Sequence, residues 1–153
     1  MVNKIVMILS IGFLLASCGE RPLFDESHSF EERTWDQKEK AVFELNVEDT
    51  ISAYYFDVQL RTTTDYAYKN MWVYLYTTAP DGTTAKEALR INIADNTGKW
   101  IGVKSGSMVN SKLRFSAKSF PLKGKYSFKM MQATNQEQLE EVVDIGLRVL
   151  PKE

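Results

Sequence analysis

The sequence predicts an all-β protein, an antiparallel β-sandwich that is jelly-roll-like and has about eight strands. Three observations carry this expectation. Apolar residues recur with period two from residue 40 onward, and turn signals separate the runs at regular spacing. No long amphipathic helical pattern interrupts them. Aromatic residues make up 12% of the chain, and Cys18 is its one cysteine. No internal disulfide can form, so the core has to be stabilised by packing.

At the N-terminus, Lys4 precedes an apolar run over residues 5–14, and Leu15-Ala16-Ser17-Cys18 closes it. A positive residue, a short apolar stretch and small residues before a cut form a secretory signal peptide. The run is well short of the ~20 apolar residues that span a membrane. Leu three positions before the cysteine matches the lipobox of bacterial lipoproteins. In that motif the thiol carries diacylglycerol before signal peptidase II cuts ahead of it. Residues 1–17 are therefore read as a lipoprotein signal peptide, and residues 18–29 as a lipidated tether. Residues 30–153 are read as a single β-sandwich domain. Residues 19–29 are polar and carry Pro22; extended at about 3.3–3.6 Å each, they reach at most about 40 Å. The acids Glu20, Asp25 and Glu26 are scattered rather than clustered after the cysteine, which favours the periplasm-facing side.

Within the domain, Ala41, Phe43, Leu45 and Val47 share one strand face, opposed by Glu44 and Asn46. Glu48-Asp49-Thr50 makes a turn. Tyr54, Phe56, Val58 and Leu60 form the next apolar face, opposed by Asp57, Gln59 and Arg61. In residues 71–77 both faces are apolar or aromatic: Met71, Val73 and Leu75 on one, Trp72, Tyr74 and Tyr76 on the other. Pro80-Asp81-Gly82 turns the chain. Extended structure then continues through residues 83–88 into Leu89, Ile91 and Ile93. Asp95-Asn96-Thr97-Gly98 is a second turn, followed by a strand over residues 100–103 and a loop over residues 105–111. Leu113 and Phe115 make a short strand, residues 121–125 a turn, and Tyr126, Phe128 and Met130 another strand. Residues 136–141 read as a polar hairpin loop or a short helix. Val143, Ile145, Leu147 and Val149 form the final strand.

Catalytic equipment is sparse. The sole histidine, His28, falls in the tether, so no Ser-His-Asp or Cys-His arrangement can be assembled in the domain. No ligand spacing for a metal and no glycine-rich phosphate loop occurs. The expectation is a protein that is not an enzyme and takes no cofactor. Lys and Arg number 19 against 20 Asp and Glu, and Lys4 leaves with the signal. That small acidic excess argues against nucleic acid.

Two surfaces are candidates for interaction. Trp72, Tyr74 and Tyr76 share one face of a strand, and flat aromatic platforms bind sugar rings through their C–H faces. Large aromatics are highly buried on average, so these rings are expected in the core or under a covering loop. A partner-binding patch is the alternative. The loop bearing Asp65, Tyr66 and Asn70 is the second candidate, with Arg61 placed to pair with Asp65. Asp65 has a plainer role open to it, bonding local backbone as loop carboxylates do.

The ordered set of motifs resembles the gliding-motility lipoprotein GldH family of the Bacteroidota. The likeness starts at the lipobox and Phe24-Asp25 and runs through Trp35 and the Phe43 strand. Arg61, Asp65-Tyr66 and Asn70 look like that family's R…DY…N signature. Pro80-Asp81-Gly82, Gly98-Lys99-Trp100-Ile101-Gly102, Phe120-Pro121, Gly124-Lys125-Tyr126, Gln132-Ala133 and Asp144-Ile145-Gly146-Leu147-Arg148 complete it. One departure is Thr134-Asn135, where the family usually continues Met-Arg. The resemblance implies an envelope lipoprotein associated with gliding and type IX secretion. The partners it implies are proteins of that machinery, with the membrane reached through the lipid anchor; a glycan is the other candidate. Cys18→Ser is expected to give an unprocessed or soluble product, because a hydroxyl cannot become the lipid thioether. Radiolabelled palmitate on that variant would contradict the assignment.

Overall fold

A computed structural model describes residues 21–153. The signal peptide and Cys18 lie outside the described residues. Twelve strands are formed: β1 (Phe24–Ser29), β2 (Thr34–Asp36), β3 (Ala41–Val47), β4 (Ala53–Thr63), β5 (Asn70–Thr78) and β6 (Thr84–Asn92), then β7 (Val103–Ser105), β8 (Met108–Arg114), β9 (Lys118–Ser119), β10 (Gly124–Gln132), β11 (Gln138–Glu140) and β12 (Val142–Pro151). The one helical element among the described residues is a 3₁₀ turn at Glu31–Arg33.

The eight longer strands make two antiparallel sheets, ordered β1-β12-β4-β8 and β3-β10-β5-β6. Of these eight, successive strands switch sheets except β5 and β6, which form a hairpin within the second sheet; this is the double Greek-key order of a jelly roll. Of the short strands, β7 extends the first sheet beyond β8, β9 pairs with the start of β4, and β2 pairs with β11. The core lies between the sheets and follows the period-two faces. Ala41, Phe43, Leu45 and Val47 are buried on β3, and Tyr126, Phe128 and Met130 on β10. Val58 and Leu60 come from β4, and Ile145, Leu147 and Val149 from β12. Trp35 is fully buried, stacks on Phe30 at 4.5 Å and donates its indole N–H to the Glu39 carbonyl at 3.2 Å.

Three segments depart from the sequence expectation. Residues 24–29 were expected within the tether, but they form β1, paired along β12 from Phe24↔Val149 to Ser29↔Asp144. Phe24 is buried and meets Phe43 edge-on at 6.3 Å. His28 is held as well, its Nε2 2.8 Å from a Glu39 carboxylate oxygen. Residues 105–111, expected as a loop, complete the β7–β8 hairpin, while Trp100 makes only an isolated bridge to Ala94. Residues 136–141 contain β11, which pairs with β2 rather than curling into a helix. β1, β8 and β11 are short or polar, and each pairs with a strand distant in sequence; β7 is a three-residue edge strand added to β8.

The outward face of the first sheet carries alternating charge. Asp25, Arg148, Asp57 and Arg114 stand directly opposite one another across β1, β12, β4 and β8. Arg148 Nε lies 3.2 Å from Asp25 Oδ2 but off the angle of a hydrogen bond. Arg114 grips Asp57 with two bonds, at 2.6 and 2.8 Å. Asp57, expected on the solvated face, is thereby buried.

Two glycines meet different demands. At Gly98 φ is +83°, and its N–H closes the turn onto the Asp95 carbonyl at 3.1 Å. The Thr97 hydroxyl and nearby backbone N–H groups hold the Asp95 carboxyl below its ordinary pKa. At Gly102 a Cβ would collide with the Asn110 carbonyl and lie 2.8 Å from Ser111 Oγ. Gly98→Ala is expected to cost about 1 kcal/mol, and Gly98→Val more, because L-residues tolerate positive φ badly. Gly102→Ala should cost more than Gly98→Ala, since backbone has to move. Denaturant midpoints check both; a wild-type midpoint for Gly98→Val would refute the turn geometry.

Candidate interaction surface

The loop from β4 to β5 is tied at both ends. Thr63 Oγ1 donates to Glu141 Oε2 at 2.6 Å and accepts the Asp65 N–H at 3.1 Å, and the Tyr66 N–H reaches the Thr63 carbonyl at 3.3 Å. Tyr66 points inward, 6% exposed, and its hydroxyl donates to the Asn70 carbonyl at 3.3 Å. Burial holds that phenol far above its ordinary pKa. This corrects the expectation of a displayed Tyr66. The exposed ring is its neighbour Tyr68, edge-on to Tyr66 at 5.6 Å.

Arg61 does not brace Asp65. Its guanidinium binds Asp144 instead, Nε to Oδ2 at 2.8 Å with a second bond from the terminal nitrogen to the same oxygen. The reason is register: Arg61 and Asp144 are directly opposite on β4 and β12. Asp65 is exposed beside Glu140 and Glu141 and does not line the cleft that holds Trp72.

Tyr68, Lys69, Asn70 and Trp72 wall one side of a cleft of about 430 Å³, and Thr134, Asn135 and Gln136 the other. Gln132, at the end of β10, fixes that second wall. Its buried amide donates to the Gln136 carbonyl at 2.8 Å and accepts the Thr134 N–H and hydroxyl at 3.2 and 2.5 Å. Thr134 and Asn135, the residues that depart from the family pattern, therefore face this cleft.

From the cleft the surface continues along β5. Trp72 and Tyr74 are 44% and 36% exposed and Tyr76 is half-buried, while Met71, Val73 and Leu75 fill the core. The expected burial or covering of the aromatic stripe is thus overturned. The aliphatic face takes the one available core, and nothing among the described residues covers the other. Cations stand over the rings instead. Lys86 Nζ is 3.7 Å from the Tyr74 centroid, and Lys129 Nζ is 4.6 Å from that of Tyr76. Arg90 stands opposite Trp72. Lys125 also lies on this face and pairs with Glu44 at 2.7 Å. Basic groups outnumber acids here. The sequence contained a signal for this, since Lys86 and Arg90 fall on alternate positions of β6, but only the register places them beside the rings.

Among the described residues no group of His, Cys, Asp or Glu is arranged to hold a metal. The arrangement is suited to binding: a cleft between two tied loops, opening onto aromatic rings interleaved with cations. Tyr66→Phe is expected to cost about 1 kcal/mol for the lost hydrogen bond, and Tyr66→Ala about 3–5 kcal/mol for the cavity. Equal denaturation midpoints for wild type and Tyr66→Ala would show that the ring is not core.

The family model described as GldH lipoprotein matches residues 22–149. The gliding motility lipoprotein GldH of Flavobacterium johnsoniae is 28% identical over 154 residues, covering 96% of each chain. The gliding motility lipoprotein GldH homolog of Christiangramia forsetii is 27% identical over 144 residues, 89% of this chain and 88% of that one. With the family match running from just before β1 to near the end of β12, the chain belongs to the GldH lipoprotein family.

Proposed function

We propose that this chain is a non-catalytic binding or scaffolding component of the gliding and type IX secretion machinery. It is lipidated at Cys18, carries no cofactor and faces the periplasm. Family membership makes it a gliding-associated lipoprotein of the cell envelope. The observation that supports a binding role is the open surface from the Tyr68–Trp72 cleft along Tyr74 and Tyr76. Exposed aromatic clusters mark interaction sites, and Trp, Tyr and Arg are the side chains that most often dominate binding energy. The other outer face is matched internally, charge against charge. The partner is a protein of that machinery.

A glycan is the second reading, favoured by one observation: Trp72 and Tyr74 are exposed on an outer sheet face, in line with half-buried Tyr76. Tyr68→Ala and Trp72→Ala are expected to change stability by about 1 kcal/mol or less, as surface substitutions do. They should nevertheless abolish spreading or secretion. Function retained in both variants would contradict the surface, and loss only in proportion to stability would make it scaffolding. Crosslinking from native envelopes distinguishes the readings: a protein adduct lost in Trp72→Ala supports the first, and retention on peptidoglycan lost in that variant supports the second.

A further inference from the structure

The geometry points to the edge of β6, with the slot beneath it, as a docking site for an extended peptide strand from a partner. That strand is apolar on the side entering the slot and acidic on the side facing out. The slot shares no lining residue with the Tyr68–Trp72 cleft, and the edge borders the aromatic surface through Lys86 and Arg90.

β6 is the last strand of its sheet: β5 takes one edge, and no strand among the described residues takes the other. Residues 84–88 are exposed on both faces. Among the described residues the chain bonds across this side again from Ile93 onward, beyond the end of β6: the Ile93 carbonyl accepts the Ile101 N–H and the Lys99 carbonyl the Asp95 N–H, both at 2.9 Å. A row of unpaired backbone groups is a template for an added strand, as in β-augmentation.

The second observation is independent of the first. In the opposite sheet β8 ends at Arg114, opposite Asp57; Phe115 still donates its N–H to the Phe56 carbonyl at 2.9 Å, and pairing with β4 resumes at Lys118 of β9. A slot of about 330 Å³ remains between the sheets, lined by Phe56, Leu75, Phe115, Phe120 and Phe128, with Ala85 and Glu87 of β6 at its side. The other long outer edge of that sheet is closed beneath, because every inward residue of β3 is buried. The slot is at the small end of ligand pockets, a size suited to a few side chains of one strand. In an added strand alternate side chains point to opposite faces, so every second residue would enter it. Those residues meet aromatic walls, with Glu87 and Lys118 at hand.

Charge selects the other face. On the outward side β6 presents Lys86 and Arg90, with Lys129 of β10 near Lys86 across Tyr76. Acidic residues directly opposite them on a neighbouring strand are favoured, and like charges disfavoured. The same cations oppose pairing with a second copy of this edge, a common device against self-association. The occupant is therefore a partner's strand of alternating acidic and apolar residues.

The test uses the full lipidated protein in phosphatidylcholine vesicles and peptides of about eight residues, a usual strand length. In three peptides Glu alternates with Val, with Leu or with Phe. At least one is expected to bind saturably and to slow amide hydrogen exchange at residues 84–88 about tenfold, the mark of strand addition. Ala85→Trp, which fills the slot, and the exposed pair Lys86→Glu with Arg90→Glu should each weaken binding about tenfold or more. The charge pair keeps the test decisive if the slot variant fails to fold. Tyr68→Ala should leave peptide binding unchanged, so failure here is distinct from failure of the cleft. The proposal is overturned if none of the three peptides binds, or if binding leaves exchange at residues 84–88 unaltered. It is also overturned if those amides are protected without peptide as protein concentration rises, which would make the occupant a second copy.

Discussion

The sandwich has one core, and strand alternation allows each strand only one face toward it. Met71, Val73 and Leu75 occupy that face on β5, each contributing roughly 1.5–3 kcal/mol by burial. A slip of one residue would send all three outward. Trp72, Tyr74 and Tyr76 are therefore held at the surface by the packing of their neighbours. The same constraint on β4 and β12 sends Asp57, Arg61, Asp144 and Arg148 to the opposite outer face, where direct cross-strand register pairs them. Two outer faces of unlike character follow. One is closed by matched charge, and the other has rings with a surplus of cations.

Much of this was legible in the alternation. The faces of β3 and β10 and the turn at Gly98 carry their burial pattern in the side chains themselves, as do Val58 and Leu60 of β4 and Ile145, Leu147 and Val149 of β12. Val143, expected on that same face, is only half-buried, because a register shift between Val142 and Asp144 puts Val142 in the core instead. What was not legible depends on partners far along the chain. β1 buries one large side chain, Phe24, and its other residues are polar, so it looks like tether until β12 lies beside it. β8 mixes Asn, Ser and Lys with its apolar residues and reads as loop for the same reason. Near the site, the pairing of Arg61 turned on register rather than proximity: Asp65 is close in sequence, but Asp144 is directly opposite. Tyr66 was ambiguous because a phenol can serve either as a core ring or as a displayed group; its bond to Asn70 settles which.

The surface proposed for binding rests on a stiff support. One wall of the cleft is tied through Thr63 to Glu141 at the start of β12, and the other through Gln132 at the end of β10. Both ties reach into long central strands, so the loops inherit the rigidity of the sheets. An interface built this way loses little conformational freedom on association, and that lowers the cost of binding.

The pairing of the first strand with the last also has a mechanical meaning. Tension applied through the N-terminal end of the folded part enters along β1. Six register pairs with β12, the edge-on contact of Phe24 with Phe43 and the Asp25–Arg148 ion pair resist it. With force parallel to the strand, those pairs are loaded together in shear rather than opened one at a time. Resistance to such a pull is set by the rate of unfolding, not by equilibrium stability alone. β1 thus works as a strain relief between the N-terminal end, the proposed point of anchoring, and the surfaces proposed for binding.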